Sequence, residues 1–147
     1  MGIWRVVNGS PNRLHETRLK AEKLKEDTLE AWIERDPELL GEPLFIIGRQ
    51  VLIPDTKDRL DLLALDAQGK AVIIELKRGD LKDPVDIQAL RYASYVAKWH
   101  FEDFEGLAKT YRGHGDEFDF NEAYEKFCDD ARGEAPEEVN TDQRIII

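Results

Sequence analysis

Two apolar runs joined by one short polar turn stand in the middle of the chain. Residues 59–65 (RLDLLAL) and 71–77 (AVIIELK) are linked by DAQGK. Short apolar runs bounded by turn residues predict buried β-strands, and Gly69 lies where a three-residue hairpin loop needs a left-handed conformation. The pattern therefore predicts an antiparallel hairpin in which Asp66 pairs with Lys70.

The remaining apolar spacing predicts further strands and helices around this hairpin. A continuous apolar run at 43–53 is typical of another buried strand, followed by a turn at 54–58. Asp83 and Pro84 are a favourable helix start. In chain order we expect a short strand at 3–7, a helix at 14–34, the three strands, helices at 83–100, 102–110 and 119–130, a linker at 132–143 and a last strand at 143–147.

This order predicts an α/β (α+β) fold with a mixed central sheet flanked by helices. The three central strands have short connections and are expected to be antiparallel, whereas the last strand returns through helices and is free to lie parallel. The length of 147 residues predicts one domain over 1–147, with its core at about 14–100 and further helices at 101–130. Because the chain stops inside an apolar run, we expect it to be a fragment of a longer protein.

Composition argues against several classes of protein. Cys128 is the single cysteine, so an intrachain disulfide is impossible. No run approaches the roughly 20 apolar residues that cross a bilayer, so we expect no membrane partner and a cytoplasmic location. The net charge of -10 argues against nucleic-acid binding by overall attraction. Residues 1–25 nevertheless hold 6 Lys/Arg against 2 Asp/Glu, so local charge differs from the total.

The hairpin register places two acids opposite each other. Pairing 66 with 70 opposes residues whose numbers sum to 136, so Asp61 faces Glu75 on one side of the sheet. Directly opposed Cβ atoms lie about 4.5–5.5 Å apart, where like charges are destabilising. A divalent cation such as Mg²⁺ would compensate them, with Lys77 nearby to hold a water or a phosphate charge. The alternative is a buried salt-bridged cluster with Arg59 that has no chemistry.

These residues and those of the following helix resemble a known family. The acid Asp61, the ELK at 75–77 and the QALRY at 88–92 are similar to the motifs of the PD-(D/E)XK nuclease superfamily, in its RecB-like branch with a QxxxY helix. Between residues 26 and 99 the chain also resembles NucS-like endonucleases. The proline of the family's motif is absent, since Leu60 precedes the first acid.

The resemblance implies a restriction-endonuclease-like αβββαβ core and a Mg²⁺- or Mn²⁺-dependent endonuclease that hydrolyses DNA. Single-stranded, branched and mismatched DNA are all left open as its substrate. Carried over by position, the implied metal ligands are Asp61, Glu75 and the backbone carbonyl of Leu76, and Lys77 is implied to orient the water. Such endonucleases use a separate domain for DNA binding and pairing, so a homodimer is left open. A catalytically inactive nuclease-fold module for nucleic-acid binding or assembly is the other hypothesis.

A glutamate on the first helix often lies against the metal in such nucleases. Glu22, Glu26 and Glu30 are the candidates, one helical turn apart. Measured from Leu29 at 100° per residue, Glu26 lies nearer than Glu30 to the inner stripe that contains Ile33. We therefore predict Glu26, with a solvated acidic helix flank as the alternative.

The resemblance also implies contacts with the substrate. Gln88 and Tyr92 share one helix face and are implied to approach the reacting water and the nucleic-acid backbone. Without the family they would be a half-buried glutamine and a core tyrosine. Basic and amide side chains near the same end of the sheet are predicted to contact phosphates, with plain surface charge as the alternative: Arg49, Gln50, Arg78, Lys82 and Arg91.

Overall fold

The structure is a computed structural model that describes residues 2–54, 57–77, 85–113, 117–131 and 133–147. Within these ranges the chain is mixed α and β, and the helices include none that is long and apolar enough to cross a membrane. The elements are β1 (Ile3–Val7), β2 (Ser10–Leu14), α1 (Glu26–Arg35), a 3₁₀ turn (Pro37–Leu40), β3 (Phe45–Leu52), β4 (Arg59–Leu65), β5 (Ala71–Ile74), α2 (Val85–Val96), α3 (Phe101–Arg112), α4 (Phe120–Ala131) and β6 (Gln143–Ile146).

A four-stranded mixed sheet forms the centre of the molecule. Its order is β3-β4-β5-β6. The first three strands are antiparallel, and β6 returns through the helices to pair parallel with β5. The predicted mixed sheet is confirmed, and the last strand, whose direction was left open, lies parallel to its neighbour.

The predicted hairpin register is also confirmed. Leu62 pairs with Ile74 and Leu65 with Ala71, so paired numbers sum to 136. The Asp66 N–H donates to the carbonyl of Lys70 at 3.0 Å, and Gly69 has the left-handed φ of 83° that the loop requires.

β5 ends at Ile74, three residues before the predicted end at 77. The Glu75 N–H still donates to the carbonyl of Ile146 in β6 at 3.0 Å. The next N–H, of Leu76, donates to the side chain of Asp61 at 2.8 Å instead of to a backbone carbonyl of β4. Backbone pairing between β4 and β5 therefore stops where the Asp61 carboxylate, and not a backbone carbonyl, accepts the N–H of Leu76.

Each face of the central sheet carries its own apolar core. Neighbouring strand residues such as Leu62 and Leu63 belong to different cores, as strand alternation requires. One core packs strand residues against α2, α3 and α4, including Tyr92, Phe104, Phe120, Leu63 and Ile73. The other packs the opposite strand face against α1, including Ile33, Ile46, Leu62, Val72 and Ile74.

The prediction of a helix from residue 14 is wrong, because a hairpin precedes α1. Asn8 and Gly9 both have positive φ, 51° and 76°, which is the conformation of a two-residue turn with Asn-Gly at its centre. Ile3 of β1 consequently pairs with Leu14 of β2. Residues 15–25 are strong helix formers but largely exposed, and propensity without burial of an apolar face rarely sustains a helix.

The other helices follow their predicted positions with shifted ends. α2 stops at Val96, before the predicted 100, and the predicted cap at 83 and 84 lies outside the described residues. The predicted linker at 132–143 is tied to the end of α2. The Asn140 side chain donates to the carbonyls of Val96 and Trp99 at 2.9 and 3.0 Å, which satisfies acceptors that a helix end leaves without a partner.

β3 is an edge strand with two irregularities. Its pairing with β4 shifts by one residue between Ile46 and Gly48, and Gln50 has a positive φ of 50°. A Cβ at Gly48 would lie 2.6 Å from Val51 Cγ2 and 2.9 Å from Leu107 Cδ2. Glycine is therefore required for α3 to pack this closely along the edge of β3.

Replacing Gly48 tests this close approach. We expect Gly48→Ala to lower the free energy of unfolding by about 1–3 kcal/mol, because the added methyl group overpacks the contact with α3. Gly106→Ala is the matched control, since nothing lies within 4 Å of its Cβ on α3, and alanine in a helix is expected to add about 0.5–1 kcal/mol. Urea unfolding measures both, and equal stability of the two variants would contradict the packing described.

Candidate functional site

Asp61 and Glu75 meet at the end of the β4–β5 hairpin, as the register predicts. Each carboxylate contacts the backbone of the other strand. Asp61 Oδ2 accepts the N–H of Leu76 at 2.8 Å, and the Glu75 carboxylate accepts a hydrogen bond from the Asp61 backbone. The two acids therefore lie on one side of the sheet and within direct electrostatic reach.

Glu75 is the most unusual acid among the described residues. It is only 1% exposed, and its Oε2 is buried with no hydrogen-bond partner in the part of the chain that the structure describes. Burial, followed by the charge of Asp61, raises the pKa of Glu75 from 4.5 to about 7, although Lys77 and a backbone hydrogen bond act in the opposite direction. An uncompensated carboxylate in such a position favours protonation or the arrival of a cation.

Lys77 supplies one positive charge at this site. Its Nζ lies 3.5 Å from Glu75 Oε1. About a third of the Lys77 side chain remains exposed, whereas that of Glu75 is buried. The ammonium group thus sits between the buried acid and solvent, in position to contact a group that enters from outside.

Asp61 is held on both sides by hydrogen-bond donors. Besides the N–H of Leu76, its Oδ1 accepts the side-chain amide of Gln50 at 3.1 Å. The same amide nitrogen contacts both carboxylate oxygens of Glu30, at 3.2 and 3.1 Å. Gln50 is therefore a bridge between the hairpin and α1.

The described contacts bring Glu30 of α1 to the acid pair through Gln50, and the role of Glu26 stays a prediction. Glu30 is 4% exposed and shares the buried face of α1 with Ile33, whereas Glu26 is only half-buried in the first turn of the helix. The predicted angle took Leu29 as the centre of the apolar stripe. The buried face of α1 is instead centred between Glu30 and Ile33, because polar side chains of β3 compensate the buried charge of Glu30.

Sequence reasoning missed the network that holds Glu30. Arg49 donates through Nε to Glu30 at 2.6 Å and through Nη1 to Glu34 at 2.8 Å. Glu34 in turn accepts the hydroxyl of Tyr111 at 2.7 Å. A continuous series of hydrogen bonds thus runs from α3 through α1 and β3 to the acid pair. In the sequence, the only indication of this network is the adjacent Arg-Gln pair on a buried strand.

Gln88 and Tyr92 of α2 lie beside the acid pair and contact each other. The Gln88 amide donates to the Tyr92 hydroxyl, which donates to the carbonyl of Arg59 at 3.3 Å. Burial raises the pKa of Tyr92, Gln88 lowers it, and the charges of Glu75 and Asp61 raise it further. The structure therefore brings both residues of the QxxxY motif to the hairpin acids.

The residues predicted to bind nucleic acid are only partly placed near the acids. Arg49 and Gln50 are engaged with carboxylates in the network described above. Arg91 is exposed and pairs with Asp58 at 3.2 Å. Arg78 and Lys82 lie outside the described residues. Phosphate contacts by these side chains stay a prediction.

Few groups at the acid pair are available to bind a hard divalent cation. Asp61 and Glu75 offer carboxylate oxygens, and the backbone of Leu76 lies against them. The described residues contain no group of three or more His, Cys, Asp or Glu side chains that could hold a metal ion. Glu30 is bound by Arg49 and Gln50. Mg²⁺ needs only one or two carboxylates when waters and substrate phosphates complete its octahedron.

The raised pKa of Glu75 predicts a pH-dependent stability. The unfolded chain loses the Glu75 proton near pH 4.5 and the folded chain near pH 7, so the folded state binds more protons in this window. The contribution of Glu75 to the free energy of unfolding is therefore full below pH 4.5 and is lost as the pH rises through 7. Relative to wild type, Glu75→Gln should gain about 3 kcal/mol between pH 4 and pH 8.

Urea unfolding without divalent cations at several pH values measures this difference. Glu125→Gln, an exposed position on α4, is the matched control for replacing a glutamate by glutamine. A difference between Glu75→Gln and wild type that stays constant from pH 4 to pH 8 would show that the buried acid does not titrate as described.

Comparison with known proteins adds no further assignment. A scan against protein-family models, a search of curated proteins and a search of solved structures found no match. Conclusions about this site accordingly rest on its geometry and on the motif residues that it brings together.

Proposed function

We propose that this chain is the catalytic domain of a Mg²⁺- or Mn²⁺-dependent DNA endonuclease of the PD-(D/E)XK superfamily. The observation that carries the proposal is the Asp61–Glu75 pair. Among the described residues, the buried Oε2 of Glu75 has no hydrogen-bond partner, and Oε1 of the same carboxylate lies 3.5 Å from Lys77 Nζ. A vacant carboxylate oxygen beside another acid and an ammonium group is the arrangement that a cation and a phosphodiester would complete.

The order of the elements supports the same proposal. A helix (α1), three antiparallel strands (β3, β4 and β5) and a helix (α2) are followed, after α3 and α4, by the parallel strand β6. Without these two inserted helices, this is the αβββαβ order that the family resemblance implies. The acids, Lys77 and the Gln88–Tyr92 pair all lie at one end of that sheet.

Each residue of the site has a separate task in phosphodiester hydrolysis. Asp61 and Glu75 would bind the cation, which would neutralise the charge that develops on the phosphate and lower the pKa of the attacking water. Gln50 and the N–H of Leu76 fix the Asp61 carboxylate in one orientation. Lys77 donates a hydrogen bond that orients the attacking water. The buried Tyr92 hydroxyl donates to the carbonyl of Arg59 and so holds α2 beside β4, the strand that carries Asp61.

The uneven charge of the chain is compatible with DNA as the substrate. The net charge is -10, yet residues 1–25 carry 6 Lys/Arg against 2 Asp/Glu. Phosphate binding depends on local cationic groups and weakens with salt. We propose that the backbone of DNA is contacted from this basic part of the chain and from Lys77.

A binding or assembly module without catalysis is the second candidate. The observation that favours it is the state of Asp61, since both of its carboxylate oxygens already accept hydrogen bonds. In that case the acids, Lys77 and Gln50 form an ion cluster that only stabilises the fold. The two candidates differ in their response to divalent cations.

Cleavage is the direct test of the proposed activity. Wild type should cut DNA in the presence of Mn²⁺ or Mg²⁺, and Glu75→Gln or Lys77→Ala should reduce the rate by about a hundredfold or more, because charge stabilisation in the transition state is lost. Glu125→Gln and Lys126→Ala on α4 are matched controls at exposed positions and should cut like wild type. Equal cleavage by all five proteins would refute the assignment.

Thermal unfolding tests the metal site independently of activity. Divalent cation at about a hundred times its Kd should stabilise wild type by roughly 2.7 kcal/mol and raise its Tm. Glu75→Gln should lose this response and Glu125→Gln should keep it. A melting curve of wild type that does not respond to Mg²⁺ or Mn²⁺ at millimolar concentration would favour the second candidate.

A further inference from the structure

The β1–β2 hairpin leaves its apolar side chains exposed. Every residue of both strands is exposed, and the exposed fractions of Ile3, Trp4 and Val6 are 72%, 57% and 72%. No other part of the described chain therefore covers the hairpin. An isolated two-stranded hairpin is at best marginally stable in water and needs an apolar face packed against another element. The hairpin is thus a candidate contact surface.

One face of the hairpin combines an aromatic ring with a cation. Trp4 pairs directly with Arg13, and Val6 pairs with Pro11, so these four side chains share one face. Trp4 and Arg13 lie close together there, since a Cβ at Gly2 would lie 3.2 Å from Trp4 Nε1 and 3.4 Å from Arg13 Nε. Trp and Arg are enriched among the residues that dominate binding energy at protein interfaces. We call this surface the Trp4 face.

The charge of the chain indicates which surface would cover the Trp4 face. Residues 1–25 hold 6 Lys/Arg against 2 Asp/Glu, so the rest of the chain holds 15 Lys/Arg against 29 Asp/Glu. The hairpin itself contains Arg5 and Arg13 and no acid. A basic, apolar hairpin on an otherwise acidic chain is complementary in charge to a second copy of the same chain.

A cleft on the acidic part of the chain has the matching chemistry. It lies at the start of α4, and its volume is about 380 Å³, within the range of binding pockets. Its lining residues are apolar or charged: Glu117, Phe118, Asp119, Glu122, Ala123 and Lys126. The Phe118 ring is held by the Arg112 guanidinium at 5.7 Å from the ring centroid. We call this the α4 cleft, in which apolar groups suit an indole ring and carboxylates suit a guanidinium group.

We propose that the Trp4 face docks into the α4 cleft of a second copy of this chain, and that the second copy docks its own hairpin in return. Such an exchange is a two-fold contact, so the same hairpin–cleft contact is made twice in each dimer. The Trp4 ring enters the cleft against Phe118, and Arg13 faces Glu122. The four cations between residues 18 and 25 lie outside this contact.

This inference does not depend on the proposed nuclease function. The family resemblance implies pairing through a separate domain, whereas the exchange uses two surfaces of the described chain itself. Its test is accordingly the association of the protein and not its cleavage of DNA.

Sedimentation velocity of the full chain measures the association. We expect wild type to dimerise at micromolar concentration, and more weakly at high salt because the charges are screened. Trp4→Ala should raise the dimer Kd about tenfold or more, and Trp4→Phe should restore part of the affinity because an aromatic ring is kept. Leu39→Ala is the matched control, since Leu39 is 58% exposed and lies on neither surface. A wild type that stays monomeric at roughly 100 µM, where even a weak specific contact forms, would overturn the proposal.

Charge reversal tests which side chains meet. Arg13→Glu and Glu122→Arg should each raise the dimer Kd about tenfold, because like charges then face each other, and the double variant should restore it. Glu122 is chosen because Asp119 accepts the Glu122 N–H at 3.0 Å and caps α4. Arg5→Glu on the other hairpin face and Glu125→Arg outside the cleft are the matched controls. A double variant that associates no more tightly than the single variants would overturn the contact.

Mixing two weakened variants tests whether the contact lies between copies. A mixed dimer of Trp4→Ala with Glu122→Arg keeps one intact hairpin–cleft contact, so the mixture should associate more tightly than either variant alone. A mixture that associates no better than its components would overturn the exchange. A monomeric wild type whose DNA binding is weakened by Trp4→Ala would show that the hairpin contacts nucleic acid, and this result would also overturn the inference.

Discussion

The candidate site depends on one cross-strand residue pair of the β4–β5 hairpin. The register in which paired residue numbers sum to 136 opposes Asp61 and Glu75, and a slip of a single residue would send one of them to the other face of the sheet. The loop fixes this register through Gly69, whose left-handed φ of 83° allows Asp66 to pair with Lys70. Everything proposed for the chemistry follows from that pairing.

The opposed acids end the backbone pairing between β4 and β5, and they set the electrostatic environment of the site. Asp61 takes the N–H of Leu76 away from the backbone of β4, so β5 stops before Glu75. Glu75 is then buried beside a like charge, with one oxygen lacking a partner among the described residues and a pKa raised to about 7. A fold keeps such a cost only where surrounding contacts or a bound group compensate it.

Gln50 of β3 joins α1 to the end of the hairpin that carries the acids. Its backbone adopts a positive φ of 50° that few non-glycine residues tolerate. Its side-chain amide reaches both Glu30 and Asp61. The strain at Gln50 is thus matched by three hydrogen-bond contacts, which fix the proposed metal ligand Asp61 relative to α1.

Local sequence patterns predicted the hairpin, its register, the mixed sheet and the meeting of Asp61 and Glu75. These follow from turn chemistry and from the periods of strands and helices, which nearby residues define. The hairpin that replaces the start of the predicted first helix was predictable in principle, since Asn8 and Gly9 form its turn. The nuclease core, the metal and the DNA substrate remain proposals that the motif residues support.

The position of Glu30 depends on contacts between elements that are far apart in sequence. Glu26 and Glu30 are one turn apart, and their angles differ by less than the uncertainty in where the buried stripe is centred. Arg49 and Gln50 on β3 compensate the charge of Glu30 and join it to Asp61. Contacts of that kind leave no periodic pattern in the chain, so tertiary packing places this glutamate where the sequence pattern does not.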